Sequence, residues 1–166
     1  MSPKSQTDSV AWMRAQWEEH GEPSPSQFAA MASILRTSVV VTGAIDQVLK
    51  RFKMTRTAYL VMVTLQMSRE ETRPLGQLSK ALLVHPTTVT MVVDQLEKTG
   101  LVARAPHPSD RRTILARLTE EGHDAVRQAS AALAEVGFGL GETGEESADR
   151  LAVQLREVRE ALGDFG

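Results

Sequence analysis

Apolar side chains recur every three or four residues along most of this chain, the spacing that places them on one face of a helix. A short first helix is predicted before Gly21 and Pro23, which interrupt the pattern. Its apolar face consists of Val10, Met13 and Trp17. A long second helix is expected next, because Ser24, Pro25 and Gln27 supply an N-cap, a first-position proline and a capping-box glutamine. Its apolar face consists of Phe28, Met31, Ile34, Leu35, Val39, Thr42, Ile45, Val48 and Leu49.

Three further helices are expected before residue 100. Thr55 is a candidate N-cap for a third helix, which is apolar on nearly all sides and is therefore expected at the centre of the core. A short fourth helix follows Pro74. Residues 84–86 form a turn, and a fifth helix starts with Pro86 and ends before Gly100. The inward-facing residues of these two helices are Leu75, Leu78, Leu82, Val89, Val92, Val93 and Leu96.

The period of the apolar pattern changes to two after the fifth helix, which predicts β-strands. The expected strands are residues 101–105 and 113–118, and the turn-rich segment 106–110 makes them a hairpin. One helix is expected to open at Thr119 and to run to about residue 136, and a last helix at the capping box Thr143–Glu146. The chain is therefore predicted to be mainly α with a small β-hairpin wing, the order of a winged helix-turn-helix domain.

Composition limits the classes of protein to consider. The chain has 166 residues, of which 42% are hydrophobic and 24% charged, as in an ordinary folded domain. It contains no cysteine, which excludes disulfides, thiolate metal sites and a cysteine nucleophile. No apolar run approaches the roughly 20 residues that span a bilayer, and the first residues lack the layout of a signal peptide. We therefore expect a cytoplasmic protein with no membrane partner.

The sequence offers no motif for catalysis or for metal binding. The four histidines are far apart, and none belongs to an H-E-x-x-H motif. The glycine-rich segment 137–141 does not follow a predicted strand and lacks the lysine of a phosphate-binding loop. We therefore expect no enzymatic activity, no metal and no cofactor.

Basic residues are concentrated in one region, although the formal net charge is −2. Between Lys98 and Arg117, five basic residues accompany a single acidic one, Asp110. The helix before this region has an outward face composed of Thr87, Thr88, Thr90, Met91, Asp94 and Lys98. Short hydroxyl and methyl groups near a helix N-terminus allow close approach to a DNA major groove. The alternative is a threonine-rich surface helix without a partner.

The hairpin adds candidate DNA contacts directly after this helix. Arg104 lies on its first strand, and Arg111 and Arg112 lie at its tip. Arginines at such a tip can reach the next groove and read a narrow minor groove. Asp110 is expected to cap the turn or to pair with Arg112. The alternative is an ordinary solvated turn.

Several segments together resemble the MarR family of bacterial winged-helix regulators. They are LGQLS at 75–79, VTMVVDQLEKTGLV at 89–102, Arg104, the DRR tip at 110–112 and LTEEG at 118–122. The resemblance implies a homodimer with intertwined N- and C-terminal helices, recognition helices in successive major grooves of a palindromic operator, and wings in the flanking minor grooves. The wing aspartate and arginine of the family match Asp110 and Arg112 of this chain.

The resemblance also implies a domain organisation and a function. Residues 1–23 form an N-terminal extension, residues 24–54 and 119–166 a helical dimerisation region, and residues 55–118 the winged helix-turn-helix domain. The implied function is a sequence-specific, DNA-binding transcription regulator, most commonly a repressor. A winged-helix module that binds another protein and not DNA is the second hypothesis. The recognition face favours DNA over this module, because Asp94 is its only acidic residue.

The recognition helix departs from the family pattern in one respect. Many relatives have arginine in or near the positions of Met91 and Gln95, so fewer charged contacts come from this helix. Met91 packs on a thymine methyl group or lies beside the core. Base specificity is then expected from His85, Thr87, Thr88, Thr90 and Gln95, with Arg112 reading groove shape. The full set of expected DNA contacts is His85, Thr87, Thr88, Thr90, Met91, Gln95, Lys98, Arg104, Asp110, Arg111 and Arg112.

Members of the family often leave DNA when a small, frequently aromatic anion binds. The resemblance places such a ligand beside Tyr59, Met62 and Val63, and the first helix looks like the extension of a urate-responsive subgroup whose tryptophan matches Trp17. The subgroup's aspartate falls at Leu60, so urate is not the expected effector, and another aromatic or apolar ligand remains open. The alternative role for Trp12 and Trp17 is hydrophobic anchoring at the dimer interface.

Overall fold

The computed structural model describes residues 8–107, 109, 110 and 113–164. The helices in these residues are α1 (Ser9–Glu19), α2 (Pro25–Lys50), α3 (Arg56–Gln66), α4 (Leu75–Ala81), α5 (Pro86–Lys98), α6 (Glu120–Ala134) and α7 (Glu145–Ala161). The strands are β1 (Thr72–Pro74), β2 (Val102–Pro106) and β3 (Ile114–Leu118). The chain forms two compact units, residues 1–43 and residues 44–166.

In the first unit, an aromatic pair joins α1 to the start of α2. Trp17 stacks on Phe28 with ring centroids 4.0 Å apart, and its indole N–H donates to the Pro23 carbonyl at 2.9 Å. α2 begins at Pro25 as predicted. Ser24, however, has a φ of 55°, outside the extended backbone that an N-cap residue adopts. The turn before α2 is therefore held by Trp17 as well as by local backbone geometry.

The core of the second unit is built around α3. Val61, Met62 and Leu65 are fully buried there, which confirms the expected central position of this helix. They pack with Leu78 of α4, with Val89, Val93 and Leu96 of α5, with Val102, Ala116 and Leu118 of the sheet and with Val126 of α6. Each large apolar side chain so buried contributes roughly 1.5 to 3 kcal/mol. The position of α5 is thus set by its inner face.

A second cluster in the same unit joins the end of α2 to α3 and α6. Val48 and Leu49 pack there with Tyr59, Ala129, Ala132 and Leu133. Asp46 accepts a 2.7 Å ion-pair contact from Arg56 Nε, and the Tyr59 hydroxyl lies 2.9 Å from Ser130 Oγ. These contacts fix the last turns of α2 against the helix that carries the core.

The predicted hairpin is present, but it belongs to a three-stranded antiparallel sheet of order β1-β3-β2. β2 and β3 pair with Arg104 opposite Ala116, and β1 pairs with β3 with Thr72 opposite Arg117. β1 was not predicted, because its three residues are too few to show an alternating pattern. It ends in Pro74, which an edge strand tolerates.

Side-chain caps confirm two predicted helix starts and correct one. Thr55 Oγ1 accepts from the Ala58 N–H at 3.1 Å, and Thr119 Oγ1 accepts from the Gly122 N–H at 3.0 Å. The last helix does not use the expected Thr143 cap, since its N-cap is Gly144 and the Thr143 hydroxyl donates to the Leu140 carbonyl at 2.8 Å. α6 ends at Ala134, two residues before the predicted end.

Large apolar side chains are exposed on α2 and on α7. On α2 they are Met31, Ile34, Leu35, Val39 and Val40, and on α7 they are Leu151, Val153 and Val158. α2 has 26 residues and contains an 18-residue window of mean hydropathy 1.6, enough to cross a membrane by length and composition alone. This corrects the expectation that no apolar run approaches that length. A helix whose apolar face is covered by another protein surface passes the same test.

Candidate nucleic-acid interface

The fifth helix has a polar outer face and an apolar inner face that is packed in the core. Val89 and Val93 are fully buried and Leu96 is 4% exposed, so the inner side of α5 is anchored in the core. All of the residues expected to contact DNA from this helix are exposed, namely His85, Thr87, Thr88, Thr90, Met91, Gln95 and Lys98. Since they occupy the start and the outer side of one anchored helix, they form a single surface that can enter a groove.

His85 is the N-cap of this helix. Its Nδ1 accepts from the Thr87 N–H at 3.2 Å. A neutral imidazole whose Nδ1 accepts carries its proton on Nε2, which can donate to a phosphate or to a base acceptor. Pro86 follows at the first helical position. The cap therefore orients the ring at the N-terminal end of α5, where an anion is favoured.

Thr90 and Met91 give the middle of the face its chemistry. The Thr90 hydroxyl donates to the Pro86 carbonyl at 3.0 Å, so its oxygen is left as an acceptor for an incoming donor. Met91 is 67% exposed. This exposure leaves the side chain accessible to a thymine methyl group, the first of the two roles expected for it, and that role stays a prediction.

The loop of the wing is organised by Asp110 and Thr113. The Thr113 hydroxyl donates to Asp110 Oδ2 at 2.6 Å, and the Thr113 N–H donates to the Asp110 carbonyl at 3.0 Å. The His107 N–H closes the loop on the Thr113 carbonyl at 3.1 Å. Asp110 thus contacts Thr113 through both its carboxylate and its carbonyl group, whereas capping of the turn backbone by the carboxylate and pairing with Arg112 stay predictions. Arg111 and Arg112 lie outside the described residues.

Arg104 contacts the recognition helix directly. Its Nη1 donates to Asp94 Oδ1 and lies 3.3 Å from Glu97 Oε2. Its Nη2 lies 3.4 Å from the Thr90 carbonyl. The side chain is only 24% exposed, against 43% for Asp94. A residue that the sequence placed among the DNA contacts is therefore engaged within the protein.

Comparison with known proteins decides the family. A model of the MarR family matches residues 54–114. The chain is 33% identical over 121 residues to a curated Bacillus subtilis protein named as the uncharacterized HTH-type transcriptional regulator YhbI, a match that covers 73% of each chain. It is 36% identical to Sco5413, a MarR family transcriptional regulator from Streptomyces coelicolor, with a TM-score of 0.76 and coverage of 84% of this chain and 97% of that one.

The chain belongs to the MarR family. The same fold is found in Sco3205 from Streptomyces coelicolor, a MarR family regulator in complex with DNA, at 25% identity and a TM-score of 0.74 over 84% of this chain and 89% of that one. The protein is accordingly a DNA-binding transcription regulator of the MarR type. The hypothesis of a protein-interaction module without DNA binding gains no support, and the family is one of regulators rather than enzymes.

A solved structure with a similar fold contains a bound small molecule. CouR from Rhodococcus jostii RHA1, 28% identical with a TM-score of 0.65 over 80% of this chain and 89% of that one, is bound to p-coumaroyl-CoA. In the present chain, Tyr59, Met62 and Val63 lie in the unit of residues 44–166. Met62 is fully buried and Tyr59 is 8% exposed, while Val63 packs against both apolar clusters.

Trp17, the fourth candidate ligand contact, lies in the unit of residues 1–43. It lines a cavity of about 310 Å³ in that unit, and the other lining residues are Trp12, Met13, Gln16, His20, Glu22 and Phe28. Aromatic rings dominate this cavity, and His20, Gln16 and Glu22 are its polar groups. Its chemistry suits a flat apolar molecule with a polar edge.

Sequence reasoning missed the acidic partners of Arg104. The sequence pattern places Asp94 on the DNA-facing side and assigns no role to Glu97, although the two residues lie one turn apart on the helix directly before the strand that carries Arg104. Two acidic residues one turn apart on a helix, followed closely by an arginine on the next strand, are the sequence pattern that could have predicted these ion pairs. It also missed the pair of His123 Nε2 and Glu71 Oε2, 2.8 Å apart, because 52 residues separate them.

Proposed function

We propose that this MarR regulator acts as a homodimeric repressor that reads a palindromic operator. The proposal rests above all on one observation, the exposed polar face of α5 above the fully buried Val89 and Val93. Lys98 supplies a phosphate contact at the end of the helix. The groups for base edges are those of His85, Thr87, Thr88, Thr90 and Gln95. Arg111 and Arg112 of the wing add cations for the flanking minor groove.

The exposed apolar faces of α2 and α7 support the homodimer. Side chains such as Val39, 72% exposed, and Leu162, 79% exposed, favour cover by a second copy of the chain. A twofold axis would then present two α5 helices about 34 Å apart, one turn of B-DNA, to successive major grooves. Since the target is chromosomal DNA, this proposal places the protein in the cytoplasm.

Fluorescence anisotropy tests the DNA-binding proposal. Labelled duplexes of random sequence and of the protein's own upstream region are titrated at low and moderate salt. We expect tighter binding to the upstream DNA and a loss of affinity with rising salt, because cations released from phosphates drive binding. Binding of equal strength to both duplexes at both salt concentrations would contradict a sequence-specific regulator.

We further propose that an aromatic or apolar effector weakens DNA binding. The cavity beside Trp17 is the candidate site in the N-terminal unit, and the region of Tyr59, Met62 and Val63 remains the candidate in the second unit. Both tryptophans of the chain, Trp12 and Trp17, line the cavity, so tryptophan emission, excited at a wavelength that Tyr59 does not absorb, reports on it. Quenching by a hydroxycinnamate or another aromatic acid, together with loss of DNA binding, is the expected result.

The alternative role of the tryptophans gives a different outcome in the same assay. If Trp12 and Trp17 anchor the dimer, their emission shifts with dilution through the dimer dissociation constant and does not respond to aromatic acids. Phe28→Leu removes the ring that stacks on Trp17 and serves as the matched variant for the cavity. Ligand quenching that persists unchanged in this variant would place the effector elsewhere.

A further inference from the structure

We infer that Arg104 is a positioning residue that locks the wing onto the recognition helix, and that it does not bind phosphate. The inference rests on the DNA-binding role proposed for α5 and the hairpin. It concerns how the wing is held in a fixed position relative to α5. Asp94 and Glu97 would repel DNA phosphates, and the inference gives them a role in specificity through their contact with Arg104.

The guanidinium group spans two turns of α5. Its nitrogens contact Asp94, Glu97 at 3.3 Å and the Thr90 carbonyl at 3.4 Å. A planar fork with several donors can bridge such partners, whereas the single ammonium group of lysine cannot reach all three. The contact therefore couples strand β2 to the outer edge of the helix at several points.

Burial shows that this side chain is committed to the protein. Within the described part of the chain, Arg104 Nε is a buried nitrogen without a hydrogen-bond partner. On β2, Arg104 pairs with Ala116 of β3, which is fully buried. Two carboxylates also offset its positive charge. A cation neutralised in this way releases few counterions from DNA and contributes little to the salt dependence of binding.

The connection between α5 and β2 is short, and Arg104 adds a second link between the two elements. The helix ends at Lys98 and the strand starts at Val102, so only Thr99, Gly100 and Leu101 join them. Gly100 has a φ of 75°, a left-handed conformation that glycine adopts without strain. The turn is held by hydrogen bonds, since the Leu101 N–H donates to the Leu96 carbonyl at 2.9 Å and the Thr119 hydroxyl donates to the Gly100 carbonyl at 2.7 Å. It fixes the base of the wing, and Arg104 adds a contact between β2 and α5 beyond the turn. Specific binding requires the helix in one groove and the wing in the next at the same time, whereas loose binding to random DNA does not.

Four variants test the inference by the ratio of operator affinity to random-duplex affinity. The operator is first selected with the unmodified protein from a random duplex library. We expect Arg104→Ala and Arg104→Lys each to lower the ratio about tenfold while the slope of log affinity against log salt stays the same. Asp94→Asn is expected to lower the ratio in the same direction, and the double variant Asp94→Asn/Arg104→Ala to be no worse than Arg104→Ala, because both changes remove one interaction.

Arg117→Ala is the matched control. Arg117 lies on β3, directly beside β2, and its Nε contacts Thr72 Oγ1 at 3.3 Å. The variant removes the same charge without touching the link to α5, so its ratio should stay within about twofold of the unmodified protein. Thermal unfolding of each variant shows that folded protein is compared.

The opposite pattern overturns the inference. If Arg104 binds phosphate, Arg104→Ala lowers the salt slope by about one and weakens binding to both duplexes alike, Arg104→Lys retains most of the affinity, and Asp94→Asn leaves the ratio unchanged. Variants with an unaltered ratio and slope also overturn it. Failure of the unmodified protein to select any operator would instead count against the proposed function.

Discussion

Gly122, in the first turn of α6, lies directly against the carbonyl group of Leu101. A Cβ at this position would overlap the Leu101 carbonyl oxygen and lie 2.8 Å from Leu118 Cδ1. The same carbonyl accepts from the Thr119 N–H at 3.2 Å. The close approach joins the end of the recognition-helix turn to the start of α6, so a side chain cannot be added without moving backbone.

Gly122→Ala is therefore expected to destabilise the protein by about 2 to 3 kcal/mol, as overpacking against backbone does. Urea denaturation followed by circular dichroism measures the change. Gly76→Ala is the matched control, because nothing lies within 4 Å of a Cβ there and alanine favours the helix. Equal stability of the two variants would show that the contact at Leu101 relaxes without cost.

Leu83→Gly is expected to stabilise the protein by about 1 kcal/mol. Leu83 follows the end of α4 with a φ of 50°, a left-handed conformation that glycine adopts with less strain. The side chain is 76% exposed, so its removal loses little packing. A rise in the urea midpoint checks the prediction, and a fall would show that the leucine makes a contact that outweighs the backbone strain.

Arg112→Ala is expected to weaken operator binding and to lower the salt slope by about one unit, since one cation is lost from the wing tip. Anisotropy titrations at several salt concentrations measure both quantities. The charge-matched comparison is Arg104→Ala, for which the slope is expected to stay constant. An unchanged slope for Arg112→Ala would remove this arginine from the interface.

Met91 is expected to read the methyl group of a thymine. The side chain is 67% exposed, and α5 contains no arginine. Because a methionine side chain is apolar, it can recognise a base through contact with the thymine methyl group. Replacing single operator thymines by deoxyuridine removes only the methyl group, and one such replacement should weaken binding severalfold. The same replacement should have no effect on Met91→Ala; an equal loss in both proteins would assign the methyl contact to another residue.

Removing α7 is expected to abolish the dimer. A chain ending at residue 142 loses the apolar face of Leu151, Val153, Val158 and Leu162, which is exposed in the single chain. Sedimentation velocity should change from a dimer to monomers or aggregates. Leu151→Glu with Val158→Glu is the milder variant, and a stable dimer from it would place the interface elsewhere.

The amino-acid sequence alone was enough to predict the order of the helices, the hairpin and the family. Apolar periodicity predicted α2, α3, α5 and α6, because a helix that is buried on one side has apolar residues at spacings of three and four. Threonine caps marked the starts of α3 and α6, since a cap acts within three residues. The polar face of α5 was also predictable, because the residues between its regularly spaced apolar positions are mostly polar.

Contacts between residues far apart in the sequence became visible in the folded chain and not before. The three residues of β1 carry too little alternation to predict a strand and become one only by pairing with β3. The bond between Tyr59 and Ser130 and the close approach of Gly122 to Leu101 depend on how helices and turns pack. Arg104 shows the difference most clearly. Its charge marked it as a DNA contact in the sequence, and the fold places acidic groups of α5 around that charge, because packing and not composition sets which partners a side chain meets.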